Sequence, residues 1–230
     1  MQELMTFPSI NIKVDDELKD KWHNFVGVAV MADIRNSEFC QELWNEIERE
    51  ITILRETHDI ESIKKISGIL ATRQAYKACG KDPSRYRPSN EQLMRRVIQN
   101  KDLYKVNTVV DLLNLASLKY GYSIGGFDRE LVSGDSVSLG VGHKGEPYVG
   151  IGRGTLNIEG MPVYRDAKGC FATPTSDHER TKIVLQTNKL LVFVNGYDGN
   201  EKHVKDCSDY IVSLLRKYAE TTQFEMNSYR

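Results

Sequence analysis

The sequence lacks the features that mark membrane, secreted and metal-binding proteins. No apolar run in its 230 residues is long enough to span a bilayer, and residues 1–20 are too acidic and polar for a signal peptide. The four cysteines are far apart, which argues against a zinc ribbon and favours reduced, mostly buried thiols in a cytoplasmic protein. None of the five histidines has a metal-ligand partner at i+3 or i+4, so no metal site and no cofactor are predicted.

An excess of charge of one sign is also absent, because 31 Lys and Arg face 32 Asp and Glu. This balance, with 40% hydrophobic residues, excludes a disordered tail protein and a globally basic nucleic-acid coat. The charge is uneven along the chain, however. Residues 1–62 carry 6 basic and 14 acidic side chains, whereas residues 73–105 carry 9 basic and 3 acidic ones.

The basic stretch interleaves arginines with tyrosines, a composition typical of a surface that contacts RNA. Arginine pairs with phosphates, and tyrosine offers a face on which bases stack. The alternative is a solvated helix–loop–helix whose arginines pair with the acidic N-terminal third. That acidic third also allows a further interpretation, a protein-interaction domain. The candidate RNA contacts are Arg85, Arg87, Arg95 and Arg96.

The hydrophobic pattern predicts an α+β fold, with mixed sheets packed against helices. Strands are predicted at INIKV and FVGVAVMADI, then helices near residues 37–54, 59–79, 89–98 and 107–121. The second half predicts short strands at SVSLGV, PVYRD, GCFAT, TKIVLQT and LLVFV, followed by a closing helix from about residue 201 to 218. The glycine-rich segment 140–154 lacks a full dinucleotide fingerprint and favours a hairpin tip over a pocket.

Two clusters of polar residues could carry chemistry. The segment SDHERT, residues 176–181, could use a carboxylate and a hydroxyl to orient a water, or it could be a polar turn with an internal ion pair. Asn107, Asp111 and Asn114 share one face of an apolar helix. They could line a pocket, or they could brace a neighbouring loop through hydrogen bonds.

Several segments together resemble one family. These are RPSNEQLMRRVIQNKDLYKVNTVVDLLNLASL, then GGFD at residues 125–128, PVYRD at 162–166 and ERTK at 179–182. They resemble the B3/B4 domain of the phenylalanyl-tRNA synthetase β chain, and more closely the free-standing proteins made of that domain alone. The interpretation is a single B3/B4-type domain over residues 1–230, with the main match at 59–220. Residues 1–58 either form an N-terminal α/β extension or belong to the main core.

The resemblance implies a function in translation fidelity. In the synthetase, this domain hydrolyses the ester of tyrosine wrongly attached to tRNA-Phe. For this chain it implies binding of tRNA or aminoacyl-tRNA, an amino-acid moiety in the pocket, and possible aminoacyl-tRNA deacylation in trans. Neither DNA nor a membrane is an expected partner. The chain is too short to hold a complete synthetase beside such a domain.

The resemblance also suggests site residues. Asp177, Glu179 and Thr181 would hold the water or the ammonium group, and the choice between the two carboxylates stays open. Arg73, Asn107, Asp111, Gly125, Gly126 and Phe127 would form the substrate pocket. The family turn usually carries a histidine where this sequence has Gly125. That departure could mean a roomier pocket, another water-orienting group or no catalysis, and the alternative function is a non-catalytic module that binds a free amino acid or small metabolite.

Overall fold

The computed structural model of the protein describes residues 10–230. The segment 1–20 is too acidic and polar for a signal peptide by its sequence, and its residues 1–9 lie outside the described residues. Within residues 10–230, no helix combines the length and the apolar character needed to cross a membrane.

Residues 10–230 form six α-helices and ten strands, with most of the helices in the first half and most of the strands in the second. The helices are α1 (Asp16–Lys21), α2 (Gln41–Thr57), α3 (Ser67–Ala78), α4 (Ser89–Ile98), α5 (Thr108–Tyr120) and α6 (Glu201–Tyr218). The strands are β1 (Asn11–Val14), β2 (Val26–Asp33), β3 (Ser123–Asp128), β4 (Ser136–Val141), β5 (Val149–Gly150), β6 (Gly154–Thr155), β7 (Pro162–Asp166), β8 (Gly169–Ala172), β9 (Lys189–Gly196) and β10 (Phe224–Tyr229). The α+β class predicted from the sequence is confirmed.

The strands form two four-stranded sheets and a small hairpin. One sheet has the order β1-β4-β7-β8, with β1 parallel to β4 and the other pairs antiparallel. The second sheet has the order β10-β2-β9-β3 and is antiparallel throughout. Strands β5 and β6 form the separate hairpin.

The second sheet lies between two hydrophobic cores, and its inner strands β2 and β9 are buried on both faces. Alternate side chains of β2, such as Val28 and Val30, pack with α2, α5 and α6, whereas Ala29 and Met31 pack against the first sheet. A strand that is buried on both faces needs apolar side chains at successive positions. This requirement explains why the segment FVGVAVMADI, which contains β2, is apolar almost throughout. The layers are therefore helices, the second sheet and the first sheet.

The helices that the sequence predicted most closely have clear capping residues at their ends. Asn107 caps α5 by accepting a hydrogen bond from the Val110 backbone N–H at 3.0 Å, and Gly121 ends that helix with a φ of 73°. A left-handed residue at this position is where glycine is favoured. The closing helix, α6, spans the residues predicted for it, and Asn200 caps its first turn.

Three elements differ from the sequence predictions. The helix predicted over 59–79 begins only at Ser67, because residues 59–66 are held in turns in which Asp59 and Ser62 bond each other's backbone. The predicted strand TKIVLQT is instead an irregular segment after a 3₁₀ turn at Glu179–Thr181. Strand β10, after the last helix, was not predicted. Its outer residues are polar, since it is an edge strand of the second sheet.

The N-terminal residues contribute to both sheets. Strand β1 pairs with β4, and β2 lies between β9 and β10 in the second sheet. The boundary between an extension at residues 1–58 and the main domain stays a prediction. Strand β2 lies inside the second sheet, and removing it would separate β10 from β9 and β3. This position favours a single folding unit.

Asp111 offers a test of how α5 is anchored. Its carboxylate accepts hydrogen bonds from Trp44 Nε1 at 2.8 Å and from the Val106 backbone N–H at 3.1 Å. Asp111→Ala would leave both donors without their acceptor, so we expect the free energy of unfolding to fall by about 2–4 kcal/mol in urea denaturation.

Asn114 is the matched control on the same helix, because it lies at a surface groove. We expect Asn114→Ala to change the free energy of unfolding by less than about 0.5 kcal/mol. Equal effects of the two substitutions would contradict the bracing role assigned to Asp111.

Candidate functional site

A cavity of about 40 Å³ lies between the two sheets, and we call it the inter-sheet cavity. Strands β3 and β9 form one wall, β7 forms the opposite wall, and the segment that follows β8 closes the end. The lining residues are Ser89, Ser123, Ile124, Gly125, Phe127, Tyr164, Ala172, Thr173, Pro174, Ser176, Asp177, Phe193 and Asn195.

The floor of the inter-sheet cavity is aromatic. Tyr164 stacks on Phe193 with ring centroids 4.4 Å apart, and Phe127 lies 5.4 Å from Phe193. The Tyr164 hydroxyl donates to Asn195 Oδ1 at 2.6 Å and lies 2.7 Å from the Tyr229 hydroxyl. All three rings are buried and the Tyr164 hydroxyl is satisfied, so this floor is a fixed surface.

Strand alternation decides which residues of GGFD face the inter-sheet cavity. A Cβ on Gly125 would lie 2.5 Å from the Phe127 ring and 3.4 Å from Asp177 Oδ1. A Cβ on Gly126 would instead meet Leu113 and Ile183, on the helix side of the sheet. Gly125 and Phe127 therefore line the cavity, whereas Gly126 faces the opposite core.

Asp177 is the acidic side chain of the cavity lining. Its backbone carbonyl accepts from the Ile151 N–H at 2.9 Å, which fixes the segment in place. Burial of the carboxyl group raises its pKa to about 8, although the backbone N–H of Gly126 acts in the opposite direction. The residue is half-buried, with its carboxyl group in the cavity lining. This carboxyl group is therefore able to exchange a proton near neutral pH.

The glycine-rich segment that predicted a hairpin tip over a pocket contains the hairpin β5–β6, which lies next to Asp177 but does not line the cavity. Gly150 forms an isolated bridge with His178, and a Cβ on Gly150 would lie 3.2 Å from Ser176 Oγ. At the hairpin tip, Arg153 donates to Gln92 on α4. The hairpin therefore connects the cavity residues with the α4 surface.

A wider depression of about 740 Å³ adjoins the cavity, and we call it the basic groove. In the described part of the chain, its lining has four positive side chains and no acidic one. These are Arg87, Arg95, Arg96 and Lys101. Tyr104 is 70% exposed at the groove, and the Arg96 guanidinium lies 4.1 Å from its ring centroid.

Glu91 lies buried beneath the basic groove. It is fully buried and pairs with Arg73 at 2.7 Å, while Arg87 and Arg95 each approach its other oxygen to 3.7 Å. A buried carboxylate needs such partners, since its desolvation is costly. Three arginines from α3, the connector and α4 are therefore held around one carboxylate.

The cavity and the basic groove share Ser89. Thr175, which lines the groove, lies between Pro174 and Ser176 of the cavity lining. The Ser89 N–H also donates to the Pro174 carbonyl at 2.7 Å, so the start of α4 is joined to the cavity wall. The two depressions therefore adjoin at the N-terminus of α4.

The candidate catalytic residues from the sequence occupy three different environments. Asp177 lines the cavity. Glu179 is exposed and pairs with Lys182 at 2.7 Å. Thr181 is buried outside the cavity lining, and its hydroxyl has no hydrogen-bond partner among the described residues. Of these three, only Asp177 faces Gly125.

Three other pocket candidates have structural partners away from the cavity. Asn107 caps α5, and Asp111 accepts from Trp44 and Val106. Arg73 is bound to Glu91 below the groove. The structure therefore does not bring these three residues to the cavity lining.

The arginine candidates divide into two sites. Arg87, Arg95 and Arg96 line the basic groove. Arg85 is exposed in a separate depression, beside the Tyr86 ring at 5.6 Å. The groove thus collects three of the four arginines, together with Lys101.

Sequence reasoning missed Asn90 and Glu91, which organise the junction. Asn90 donates to the Gly121 carbonyl at 2.6 Å and accepts from the Ser123 hydroxyl at 3.0 Å, so it connects α4 to α5 and β3. The available signal was that Glu91 is the one acidic residue between positions 83 and 101. A lone carboxylate among basic residues indicates an ion-pair partner for the neighbouring arginines.

Comparison with known proteins identifies the family. The B3/4 domain family matches residues 71–220, more than half of the chain. This protein therefore belongs to the B3/4 domain family, as the sequence motifs predicted. A search of curated proteins found no significant match.

Among solved structures, the chain is similar to an N-terminal fragment of the phenylalanyl-tRNA synthetase beta-subunit from Pyrococcus horikoshii. The identity is 14% and the TM-score is 0.49, over 94% of this chain and 50% of that one. This chain thus spans about half the length of that fragment. A likeness at this level carries no information about the site.

The raised pKa of Asp177 predicts a specific pH dependence of stability. Near pH 3 and below, the carboxyl group binds its proton mostly in both states, but between about pH 4 and 8 only the folded state retains it. Stability contributed by this group is therefore lost as the pH rises toward 8. We expect Asp177→Asn to match the wild type near pH 3 and to be more stable at pH 8–9, as measured by urea unfolding.

Glu179→Gln is the control for this measurement, because the Lys182 ammonium group lowers the pKa of that exposed carboxyl. Glu179→Gln should be slightly less stable than the wild type at neutral and alkaline pH, and this difference should vanish as the pH falls through the acidic range. A difference between Asp177→Asn and wild type that stays constant from pH 4 to 9 would show that Asp177 is not held protonated.

Proposed function

We propose that this protein binds the acceptor end of an aminoacyl-tRNA and hydrolyses the ester that links the amino acid to the tRNA. The observation that carries the proposal is the junction of two depressions, one with a buried carboxyl group and the other with four positive side chains. The amino acid would enter the inter-sheet cavity, and the RNA end would lie in the basic groove. The editing role implied by the family resemblance supports the same proposal.

The basic groove has the groups that single-stranded RNA requires. Phosphates are bound by Arg and Lys, and bases stack on exposed aromatic rings. Arg87 is exposed, and Tyr104 offers one face for a base because the Arg96 guanidinium lies over the other. Because Ser89 belongs to both depressions, a strand in the groove can place its terminal ribose at the cavity mouth.

Ester hydrolysis makes modest demands on the protein. Water attacks the carbonyl carbon, the bond between that carbon and the ribose oxygen breaks, and free amino acid and tRNA are released. The ionised Asp177 carboxylate would accept the proton of the attacking water and return it to the leaving ribose oxygen. A pKa of about 8 places this group near the range in which both transfers are efficient.

The proposed place of action is the cytoplasm, where aminoacyl-tRNA is used. All four cysteines lie in the described part of the chain and are unbridged, which fits a reducing compartment.

Recognition of RNA through the groove predicts a strong dependence on salt. For about four phosphate contacts, the logarithm of the tRNA affinity should fall with the logarithm of salt concentration with a slope of about −2 to −3. We expect the double variant Arg96→Ala, Lys101→Ala to weaken binding and to reduce the magnitude of that slope by about half, roughly 1.4. Fluorescence anisotropy with labelled tRNA at several salt concentrations measures both quantities.

The matched control is the double variant Lys202→Ala, Lys205→Ala, which removes the same charge from α6 outside the groove. It should leave the slope unchanged. A wild-type tRNA affinity that did not change with salt concentration would show that the groove is not an RNA site. It would favour the alternative function, a non-catalytic module that binds a free amino acid or small metabolite.

Catalysis by Asp177 predicts a pH profile. After subtraction of the rate in buffer, the deacylation rate of a sensitive aminoacyl-tRNA should rise with the ionised fraction of Asp177 and level off above about pH 8. We expect Asp177→Asn to lower the rate by about 10²–10⁴-fold and to abolish this rise.

The same assay on Glu179→Gln decides between the two carboxylates that the sequence left open. Because Glu179 is exposed and paired with Lys182, we expect its variant to keep most of the activity. Full activity in Asp177→Asn would contradict the proposed mechanism, and absence of hydrolysis of any ester by the wild type would leave a binding function alone.

A further inference from the structure

The size of the inter-sheet cavity limits which amino acids it could accept, and the inference drawn from it rests on the proposed function. We propose that the substrates are tRNA esters of small, uncharged amino acids whose side chains are about the size of those of alanine and serine. Aromatic amino acids would be rejected.

The first argument is volume. The cavity offers about 40 Å³. A buried water molecule needs about 10–15 Å³ by this measure, so the space takes roughly three non-hydrogen atoms. A methyl or hydroxymethyl group is within that limit, whereas a benzene ring exceeds it about twofold.

The second argument is that the rings of the aromatic floor cannot easily move away from the cavity. Phe127, Tyr164 and Phe193 come from three different strands of both sheets and are fully buried against one another. Tyr164 is also tied through its hydroxyl to Asn195 and Tyr229. Enlarging the cavity would require several close-packed rings to move together, which dense protein interiors resist.

The third argument concerns the glycine at position 125. Its missing side chain does not create additional room, because the Phe127 ring lies where a Cβ would point, at 2.5 Å from that position. Phe127 thus sets the depth of the cavity beside Asp177. Of the three explanations for the glycine that the sequence left open, a roomier pocket is the one this packing disfavours.

The fourth argument is the polarity of the wall. Thr173 Oγ1 bonds the Ser176 carbonyl at 3.0 Å, and Ser123 Oγ bonds Asn90. The Ser176 hydroxyl makes one long hydrogen bond, at 3.4 Å to the Asp177 carbonyl. A small hydroxyl-bearing side chain could therefore pair with Ser176, and a methyl group would face the aromatic floor.

The test uses one tRNA charged separately with alanine, serine, valine, phenylalanine and tyrosine. We expect alanyl and seryl esters to be hydrolysed at least about tenfold faster than phenylalanyl and tyrosyl esters, after correction for the rate in buffer. Hydrolysis of the tyrosyl ester as fast as the alanyl ester would overturn the size inference while leaving the proposed function intact.

Substitutions in the aromatic floor of the inter-sheet cavity test whether the depth of the cavity causes this selectivity. Phe127→Leu should deepen the cavity and raise the relative rate for the larger side chains about tenfold. Phe171→Leu is the matched control, because Phe171 packs on Phe127 with centroids 5.1 Å apart but does not line the cavity. Equal changes in both variants would show that loosened packing, and not cavity depth, determines selectivity.

If no ester is cleaved, the hydrolytic function is rejected. A binding measurement then still tests the size limit. Adenosine carrying alanine or tyrosine through a stable 3′-amide would be titrated into the wild-type protein and followed by NMR. We expect the alanyl compound to perturb residues of the cavity and the tyrosyl compound to bind at least about tenfold more weakly. Equal affinities would contradict the size limit independently of catalysis.

Discussion

The structure depends on one constraint: the inner strands β2 and β9 of the sheet β10-β2-β9-β3 are buried on both faces. Helices cover one face and the first sheet covers the other, so each successive side chain of β3 and β9 is directed into a different core. This alternation places Gly125 and Phe127 beside Asp177, and Gly126 against Leu113. A shift of one residue in the pairing of β3 with β9 would exchange these positions and remove the inter-sheet cavity.

A buried charge organises the neighbouring surface. Glu91 is surrounded by Arg73, Arg87 and Arg95, so the arginine-rich segment is held by an internal carboxylate rather than by the acidic N-terminal residues. Asn90 beside it joins α4 to α5 and β3. The two residues at the start of α4 thus connect the basic groove to the cavity, and this connection makes binding of a charged acceptor end geometrically reasonable.

The sequence predicted those parts of the fold that depend on local chemistry. Helix α5 has an asparagine cap and a left-handed glycine at its ends, and α6 has a regular apolar face, so both were located closely. Strand β10 was missed because its pattern is polar and its partner, β2, is about 200 residues away in the chain. The TKIVLQT segment has strand-like composition, but Thr187 bonds Val184 and Asp128 and holds it in a turn.

The candidate site was predictable only in part, for a similar reason. Motif resemblance indicated Gly125, Phe127 and Asp177, which the structure brings to one cavity. It could not distinguish a lining residue from a bracing one, because Asn107 and Asp111 lie on the same helix as Asn114 and differ only in tertiary partners. Glu91 appeared to be one charge among many, since burial by three elements distant in sequence cannot be inferred from composition.

The central claim is that the end of a charged tRNA occupies the junction of cavity and groove. Photo-crosslinking tests it directly, with a tRNA whose 3′-terminal adenosine carries alanine through a stable amide and a photoreactive group on the base. Peptide mapping by mass spectrometry should locate the crosslinks in α4 and in residues 173–177, next to Ser89. Crosslinks confined to α6 or to the outer strand β10 would contradict the account.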